Sequence, residues 1–177
     1  PVITIVSPTN GAYVTNSKQP VVFTVVDEAG GSGVNISSLV VKLDGKAVDA
    51  ATLTSTAITN GYSVTYTPAA ALADGAHTVT IDCKDNDGNA ATQKSTSYTI
   101  DTVPPTLNVT SPAEGLVTAT SSVTVAGTTN DATSSPVTIT ISLNGEDQGA
   151  VTVGANGSFS KTIALAEGSN TIIVKAK

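Results

Sequence analysis

One nine-residue segment of the sequence, which alternates apolar and polar residues before a turn, occurs twice. It reads Ile3-Thr4-Ile5-Val6-Ser7-Pro8-Thr9-Asn10-Gly11 and returns as Leu107-Asn108-Val109-Thr110-Ser111-Pro112-Ala113-Glu114-Gly115. In both copies apolar and polar residues alternate up to a Ser-Pro-x-x-Gly turn, a pattern typical of a half-buried β-strand that ends at a turn. Such a strand buries one face only when it packs against other strands, so each copy predicts a sheet around it.

The sequence around the two copies repeats as well. Three further pairs of motifs follow in the same order: Leu43-Asp44-Gly45 with Leu143-Asn144-Gly145, Asn60-Gly61 with Asn156-Gly157, and residues 74–81 with residues 167–174. Four matches in one order predict two copies of one module. The offset falls from 104 residues (3 to 107) to 93 residues (74 to 167). The loops of the second copy are therefore expected to be shorter, because loops tolerate length changes best.

The composition of the 177-residue chain predicts an all-β class. Val, Ile and Leu alternate with numerous Thr and Ser, and 15 Gly and 8 Pro disfavour helices. No run approaches the roughly 20 apolar residues of a membrane helix, so no membrane insertion is expected within this chain.

Period-two alternation predicts the strands and the core of the first copy. Strands are expected near residues 2–6, 21–27, 38–43, 62–67, 77–84 and 91–100. The inward residues are expected to be Val21, Phe23, Val25, Leu39, Val41, Leu43, Tyr62, Val64, Tyr66, Val79, Ile81 and Cys83. The second copy repeats them with Val137, Ile139, Ile141, Leu143, Phe159, Ile163, Ile172, Val174 and Ala176. About seven strands in about 100 residues predict a sandwich of two sheets.

A proline pair separates the two copies. Pro104 and Pro105 hold the backbone extended and cannot donate to a sheet ladder. The predicted organisation is a sandwich at residues 1–100, a short, stiff linker at 101–106 and a second sandwich at 107–177.

Charge and cysteine content exclude several classes of function. The formal charge is −6, and the chain has eight Lys and no Arg. A basic groove for nucleic acid cannot be built from these residues. A single Cys rules out an internal disulfide and a cysteine-based zinc site, and the one His leaves few candidates for acid–base catalysis. No enzymatic activity and no cofactor other than calcium are therefore expected.

The order of the turn motifs resembles that of bacterial immunoglobulin-like repeats. The motifs are Ser-Pro-x-x-Gly, residues 27–35, Leu43-Asp44-Gly45, Asp74-Gly75, Asp85-Asn86-Asp87-Gly88-Asn89 and Asp101-Thr102-Val103-Pro104-Pro105. The resemblance implies tandem seven-stranded Greek-key sandwiches at an extracellular or cell-surface location. It implies a structural or adhesive role, as a stalk or adhesin segment, or as an accessory module of a secreted enzyme. The implied partners are neighbouring immunoglobulin-like modules or subunits and a host or cell-surface protein or glycan.

The second copy departs from this pattern at its last strand. The turn matching residues 85–89 and the strand matching 91–100 do not occur before Lys177. One explanation is that the sequence is a segment of a longer array. The other is that a neighbouring subunit donates the strand, as in filaments, because an open sheet edge pairs readily with another strand.

The acidic turns are the candidate metal sites. Calcium takes six to eight oxygen ligands, and the turn at residues 85–89 is the densest cluster of Asp and Asn oxygens. The same residues suit a hairpin turn, which is the alternative explanation. The resemblance implies that the loop at Asp27, Glu28 and Asn35 shares a pole with this turn.

Cadherin-like arrays imply a second site at the joint, where a linker acid would join the next module. The candidate calcium ligands at the two sites are Asp27, Glu28, Asp85, Asp87, Asn89, Asp101, Asn130 and Asp131.

The remaining reactive and aromatic side chains are expected to be structural. Cys83 lies in an alternating strand and matches Ala176, which predicts a small buried side chain. His77 matches Asn170, which predicts a solvated strand end. A carbohydrate-binding module would need exposed aromatic platforms. Of the six Tyr and Phe residues, only Tyr13 is expected to be exposed.

Overall fold

The structure is a computed structural model that describes residues 1–131 and 137–177. It divides into two units, Pro1–Thr102 and Val103–Lys177, which we call module one and module two. No helix in the described part is long and apolar enough to span a membrane.

Module one contains nine strands in two sheets. They are β1 (Val2–Ser7), β2 (Ala12–Val14), β3 (Val21–Val26), β4 (Val34–Leu43), β5 (Lys46–Ala47), β6 (Leu53–Ile58), β7 (Gly61–Tyr66), β8 (Gly75–Asp85) and β9 (Lys94–Ile100). One sheet has the order β1-β3-β7-β6 and the other β2-β9-β8-β4-β5. β2 pairs parallel with β9, and the other strand pairs are antiparallel.

The core of module one lies between its two sheets. The predicted inward residues are either buried or packed against the buried cluster, which confirms the period-two assignment. Ile3, Tyr98 and Ile100 complete this core from β1 and β9. Burial of these side chains supplies the main stabilisation of the sandwich.

The described residues of module two form six strands in two sheets. They are β10 (Thr106–Ser111), β11 (Ser122–Asn130), β12 (Ile139–Leu143), β13 (Glu146–Asp147), β14 (Ser158–Ala164) and β15 (Ile172–Ala176). The sheet orders are β10-β11-β14 and β13-β12-β15. Strands β10, β11, β12, β13, β14 and β15 correspond to β1, β3, β4, β5, β7 and β8. The prediction of tandem all-β sandwiches is confirmed.

The two modules also share local irregularities. β1 shifts register between Ile5 and Ser7, and β10 shifts at the matching place between Val109 and Ser111. The following peptide bond, before Pro8 or Pro112, is cis in both. The repeat that opens each module is therefore repeated in structure as well as in sequence.

Some strand boundaries differ from the prediction. β4 begins at Val34, four residues before the predicted strand, because its register shifts between Asn35 and Val40. β9 begins at Lys94, three residues later than predicted, since residues 91–93 still belong to the preceding loop. The strands β2, β5 and β6 were not predicted, because they are short or almost wholly exposed.

Candidate functional site

The two acidic loops of module one meet at one pole of the sandwich. The Asn86 backbone N–H donates to the Gly33 carbonyl at 3.0 Å, and the Asn86 side chain donates to the Ser32 carbonyl at 2.7 Å. The Asp87 N–H donates to Ser32 Oγ at 3.3 Å. The loop after β3 and the loop before β9 are thus held together by direct hydrogen bonds.

Asp27 is buried beneath this pole. Its Oδ2 accepts the Gly33 N–H at 2.9 Å, and its Oδ1 lies 3.3 Å from Pro1 N. Burial by itself raises the pKa of Asp27, but hydrogen bonding to the carboxylate, including the bond from the Gly33 N–H, outweighs it and lowers the pKa. The carboxylate therefore stays charged and holds its own loop closed.

Asp85 is the second buried carboxylate of the pole. Its Oδ1 accepts the Asn89 N–H at 2.8 Å and its Oδ2 accepts the Asn89 side-chain N–H at 2.8 Å. The Asn89 side-chain bond is the main cause that lowers the pKa of Asp85, and the nearby charge of Asp27 acts against it. Both carboxylate oxygens are thus engaged in closing the turn.

The hydrogen bonds at this pole are of the kind that closes loops and turns. Glu28, Asp87 and Asn89 are exposed around the two buried carboxylates. Within residues 1–131 and 137–177, no group of three or more His, Cys, Asp or Glu side chains is arranged to hold a metal ion. Calcium binding here remains a prediction.

The predicted joint site draws on both modules. Asp101 belongs to module one, whereas Asn130 and Asp131 belong to module two. In module two, Asn130 and Asp131 line a pocket of about 230 Å³ together with Asn156 and Gly157. Calcium at the joint likewise remains a prediction.

His77 differs from its prediction, because it is not a solvated strand end. Its side chain is only 13% exposed, with Nδ1 2.8 Å from Asp44 Oδ2 and Nε2 2.9 Å from the Ala73 carbonyl. Both partners are acceptors, so the ring makes both bonds as a donor when it is protonated. Burial lowers the pKa of His77, but the Ala73 carbonyl and the Asp44 carboxylate outweigh it and raise the pKa.

Asp44 also ties its turn to the start of β8. Its Oδ1 accepts the Thr78 N–H at 2.8 Å, and its own N–H donates to the Thr78 carbonyl at 2.8 Å. Asp44 has a φ of 48°, in the left-handed region that Asp and Asn tolerate best. Burial raises the pKa of Asp44, but the bonds from Thr78 and His77 lower it overall.

We call the hydrogen-bonded pair Asp44–His77 the brace of module one. Module two repeats this brace with amide side chains. Asn144 Oδ1 accepts the Thr171 N–H at 2.8 Å, and Asn144 Nδ2 donates to Asn170 Oδ1 at 3.2 Å. Asn170 Nδ2 donates to the Ala166 carbonyl at 2.8 Å, as His77 reaches Ala73 in module one. The pair Asp44–His77 and the pair Asn144–Asn170 therefore have the same structural role. This paired replacement in the sequence is the signal that could have identified His77 as a brace.

The remaining candidates are structural. Cys83 is buried and free, as predicted, with Sγ 3.6 Å from Ser38 Oγ. Tyr13 is 59% exposed, and the other five Tyr and Phe side chains belong to the cores. Burial raises the pKa of Tyr98 to about 12, helped by neighbouring Tyr66 and Asp44, so this phenol stays neutral at physiological pH.

The chain matches two family models. Residues 7–102 match the bacterial Ig-like domain, and residues 105–177 match glucodextranase, domain B. No curated protein matches the chain in sequence.

Solved structures are similar to this chain, and one of them shares its fold. The fibronectin(III)-like modules of Clostridium thermocellum CbhA are 18% identical and superpose with a TM-score of 0.59, covering 98% of this chain and 84% of that one. Dimeric latent PorU from Porphyromonas gingivalis is also 18% identical, with a TM-score of 0.45, and covers 97% of this chain and 16% of that chain.

Proposed function

The chain belongs to the bacterial Ig-like domain family, and from this membership we propose that it is a non-catalytic spacer in the stalk of an extracellular or cell-surface protein. Its Ig-like and fibronectin-III-like modules make it a structural or accessory segment. In this role, the chain holds neighbouring modules or an adhesive domain at a fixed distance.

One observation carries this proposal: polar side chains that could perform chemistry are used to brace loops. The Asp27 and Asp85 carboxylates close loops at one pole of module one. Asp44 and His77 brace the loops near the start of β8, and module two repeats this brace with Asn144 and Asn170. The two modules thus keep the same contact but build it from different chemical groups. This supports a structural role for the contact, because a catalytic pair would need the same groups in the same roles.

The short connection supports the spacer proposal. Five residues, 101–105, separate the end of β9 from the start of β10, and two of them are Pro104 and Pro105. Prolines fix φ and restrict the residue before them, which makes such a connection semi-rigid. A stiff joint is what makes the length of a stalk usable.

Distance measurements between spin labels test this proposal. In a Cys83→Ala background, one cysteine is introduced at exposed Thr54 in module one and one at exposed Glu146 in module two. A spacer gives a single narrow distance distribution, and Pro104→Gly with Pro105→Gly broadens it. A broad distribution with both prolines present would refute a stiff spacer.

The match of module two to glucodextranase domain B favours a second candidate function. According to this second candidate, the chain is an accessory module that holds the catalytic domain of a secreted glucan-acting enzyme at a distance from its neighbours. Binding to α-glucans in affinity electrophoresis tests whether the module also holds substrate. We expect no retardation, because the one aromatic side chain of module two, Phe159, is buried. Retardation abolished by Tyr13→Ala, with Thr54→Ala as control, would show a glycan-binding role instead.

A further inference from the structure

The first two residues after β9 are hydrogen-bonded to module one. The Asp101 N–H donates to the Val14 carbonyl at 2.9 Å, which continues the parallel pairing of β2 with β9 one residue beyond Ile100. The Thr102 N–H donates to Asp74 Oδ1 at 3.1 Å. The Thr102 hydroxyl donates to the same carboxylate, 2.9 Å from Oδ1 and 3.0 Å from Oδ2. A carbonyl of β2 and a carboxylate just before β8 therefore hold the chain where it leaves β9.

The residues on both sides of Asp74 are themselves fixed in module one. The carbonyl of Ala73, the residue before it, lies 2.9 Å from Nε2 of His77, which belongs to the brace. The residue after it, Gly75, begins β8 and pairs with Ile100 at the end of β9. The Asp74 carboxylate is thus presented to Thr102 by an anchored segment.

The prolines restrain the other residues of the connection between β9 and β10. Pro104 and Pro105 fix their own φ, and each restricts the residue before it. This restraint reaches Val103 but not Asp101 or Thr102. The five residues of the connection are therefore restrained in two ways, the first two by hydrogen bonds to module one and the last three by proline rings.

We propose that Asp74 is a positioning residue that sets the direction in which the chain leaves module one. We call the hydrogen-bonded group of Val14, Asp74, Asp101 and Thr102 the exit clamp. This inference rests on the spacer function proposed above, and it assigns part of the stiffness of the joint to a side chain outside the connection. A joint that relied on the two prolines alone would still turn at residues 101 and 102, because a proline restricts only its own φ and the residue before it.

Backbone ¹⁵N relaxation of the full chain measures whether the exit clamp holds. Asp74→Ala removes both acceptor oxygens of Thr102. We expect order parameters of about 0.85 for the Asp101 and Thr102 amides in the unmodified chain, and below about 0.6 for Thr102 in Asp74→Ala. Asp74→Asn keeps one acceptor oxygen and should retain most of the order. Asp82→Ala is the matched control, because it removes the same charge and the two acceptor oxygens of Gln93 but leaves the exit clamp intact.

Spin labels show whether the exit clamp stiffens the joint. The labels are placed at Thr54→Cys and Glu146→Cys in the Cys83→Ala background. Asp74→Ala should broaden the distance distribution with both prolines present, whereas Asp82→Ala should leave it narrow. Asp74 is exposed, so its replacement should leave the melting temperature of module one nearly unchanged. Broadening without a lower melting temperature would separate positioning from folding.

Three outcomes would overturn the proposal. The first is an equal order parameter of Thr102 in the unmodified chain and in Asp74→Ala. The second is equal broadening by Asp74→Ala and Asp82→Ala, which would assign the effect to the lost charge. The third is a narrow distribution that Asp74→Ala leaves unchanged, which would keep the spacer function but remove the exit clamp from it. A broad distribution in the unmodified chain, with an ordered Thr102 that depends on Asp74, would instead refute the stiff spacer and support the exit clamp.

Discussion

Gly127 pairs with Phe159 across β11 and β14, at the place where module one pairs Phe23 with Val64. The equivalence follows from the first strands, because Val109 pairs with Gly127 and matching Ile5 pairs with Phe23. One aromatic ring thus enters each core at the same level, from β3 in module one and from β14 in module two. The aromatic ring is kept at this level, although the strand that supplies it has changed.

We expect Gly127→Ala to destabilise module two by about 1–3 kcal/mol, the usual range for overpacking. An added Cβ would lie 2.7 Å from Phe159 Cζ and would also collide with the Asn108 carbonyl oxygen. Thermal unfolding of the full chain measures the change. Adding Phe159→Val removes the ring but leaves the carbonyl, so the double variant should not recover. Full recovery would show that the ring alone requires Gly127.

The Asp44–His77 brace should make the stability of module one depend on pH. The raised pKa of His77 means that its contribution is fully present below its usual value near 6.5 and is lost as pH rises through the higher folded pKa. The lowered pKa of Asp44 means that its contribution is present above about pH 4 and is lost as pH falls through the folded pKa. The ion pair is therefore complete between these limits.

The double variant Asp44→Asn with His77→Asn copies the amide pair of module two. We expect it to fold and to lose the decline in unfolding free energy as the pH rises above about 6.5, a change of at most about 1 kcal/mol for a partly exposed pair. Chemical denaturation at several pH values measures it. The single variant His77→Asn should be less stable than the double variant, because it places an amide oxygen near the Asp44 carboxylate. An unchanged pH profile in the double variant would show that the brace does not titrate in this range.

Cys83→Ala should leave the fold intact and cost on the order of 1 kcal/mol. The side chain is buried but small, and matching Ala176 already occupies this position in module two. Ile81→Ala, in the same strand and fully buried, is the matched control and should cost about 2–5 kcal/mol. Equal losses for the two variants in thermal unfolding would show that the thiol contacts around Ser38 matter more than its volume.

The sequence predicts the long strands because their inward residues alternate without interruption, as in Val21, Phe23 and Val25. It does not predict β6, since the strand is exposed except at Leu53 and its Thr and Ser residues carry no alternation. The meeting of the acidic loops was implied by the resemblance, because it follows from topology. The use of Asp27 and Asp85 as internal acceptors was not singled out, since both belong to acidic runs that suit a metal site equally well. Only the burial and the hydrogen bonds of Asp27 and Asp85 distinguish loop closure from metal binding.

The last prediction separates loop closure from calcium binding at the pole of module one. Asp85→Ala should lower the melting temperature of module one, because it removes both acceptors of Asn89 in a buried position. The exposed neighbour Asp87→Ala is the matched control and should have little effect. If closure by hydrogen bonds suffices, the melting temperatures with millimolar calcium and with a chelator are equal in the unmodified chain. A rise with calcium that is lost in both variants would instead assign the two carboxylates to a metal site, because a ligand that binds only the folded state raises its stability.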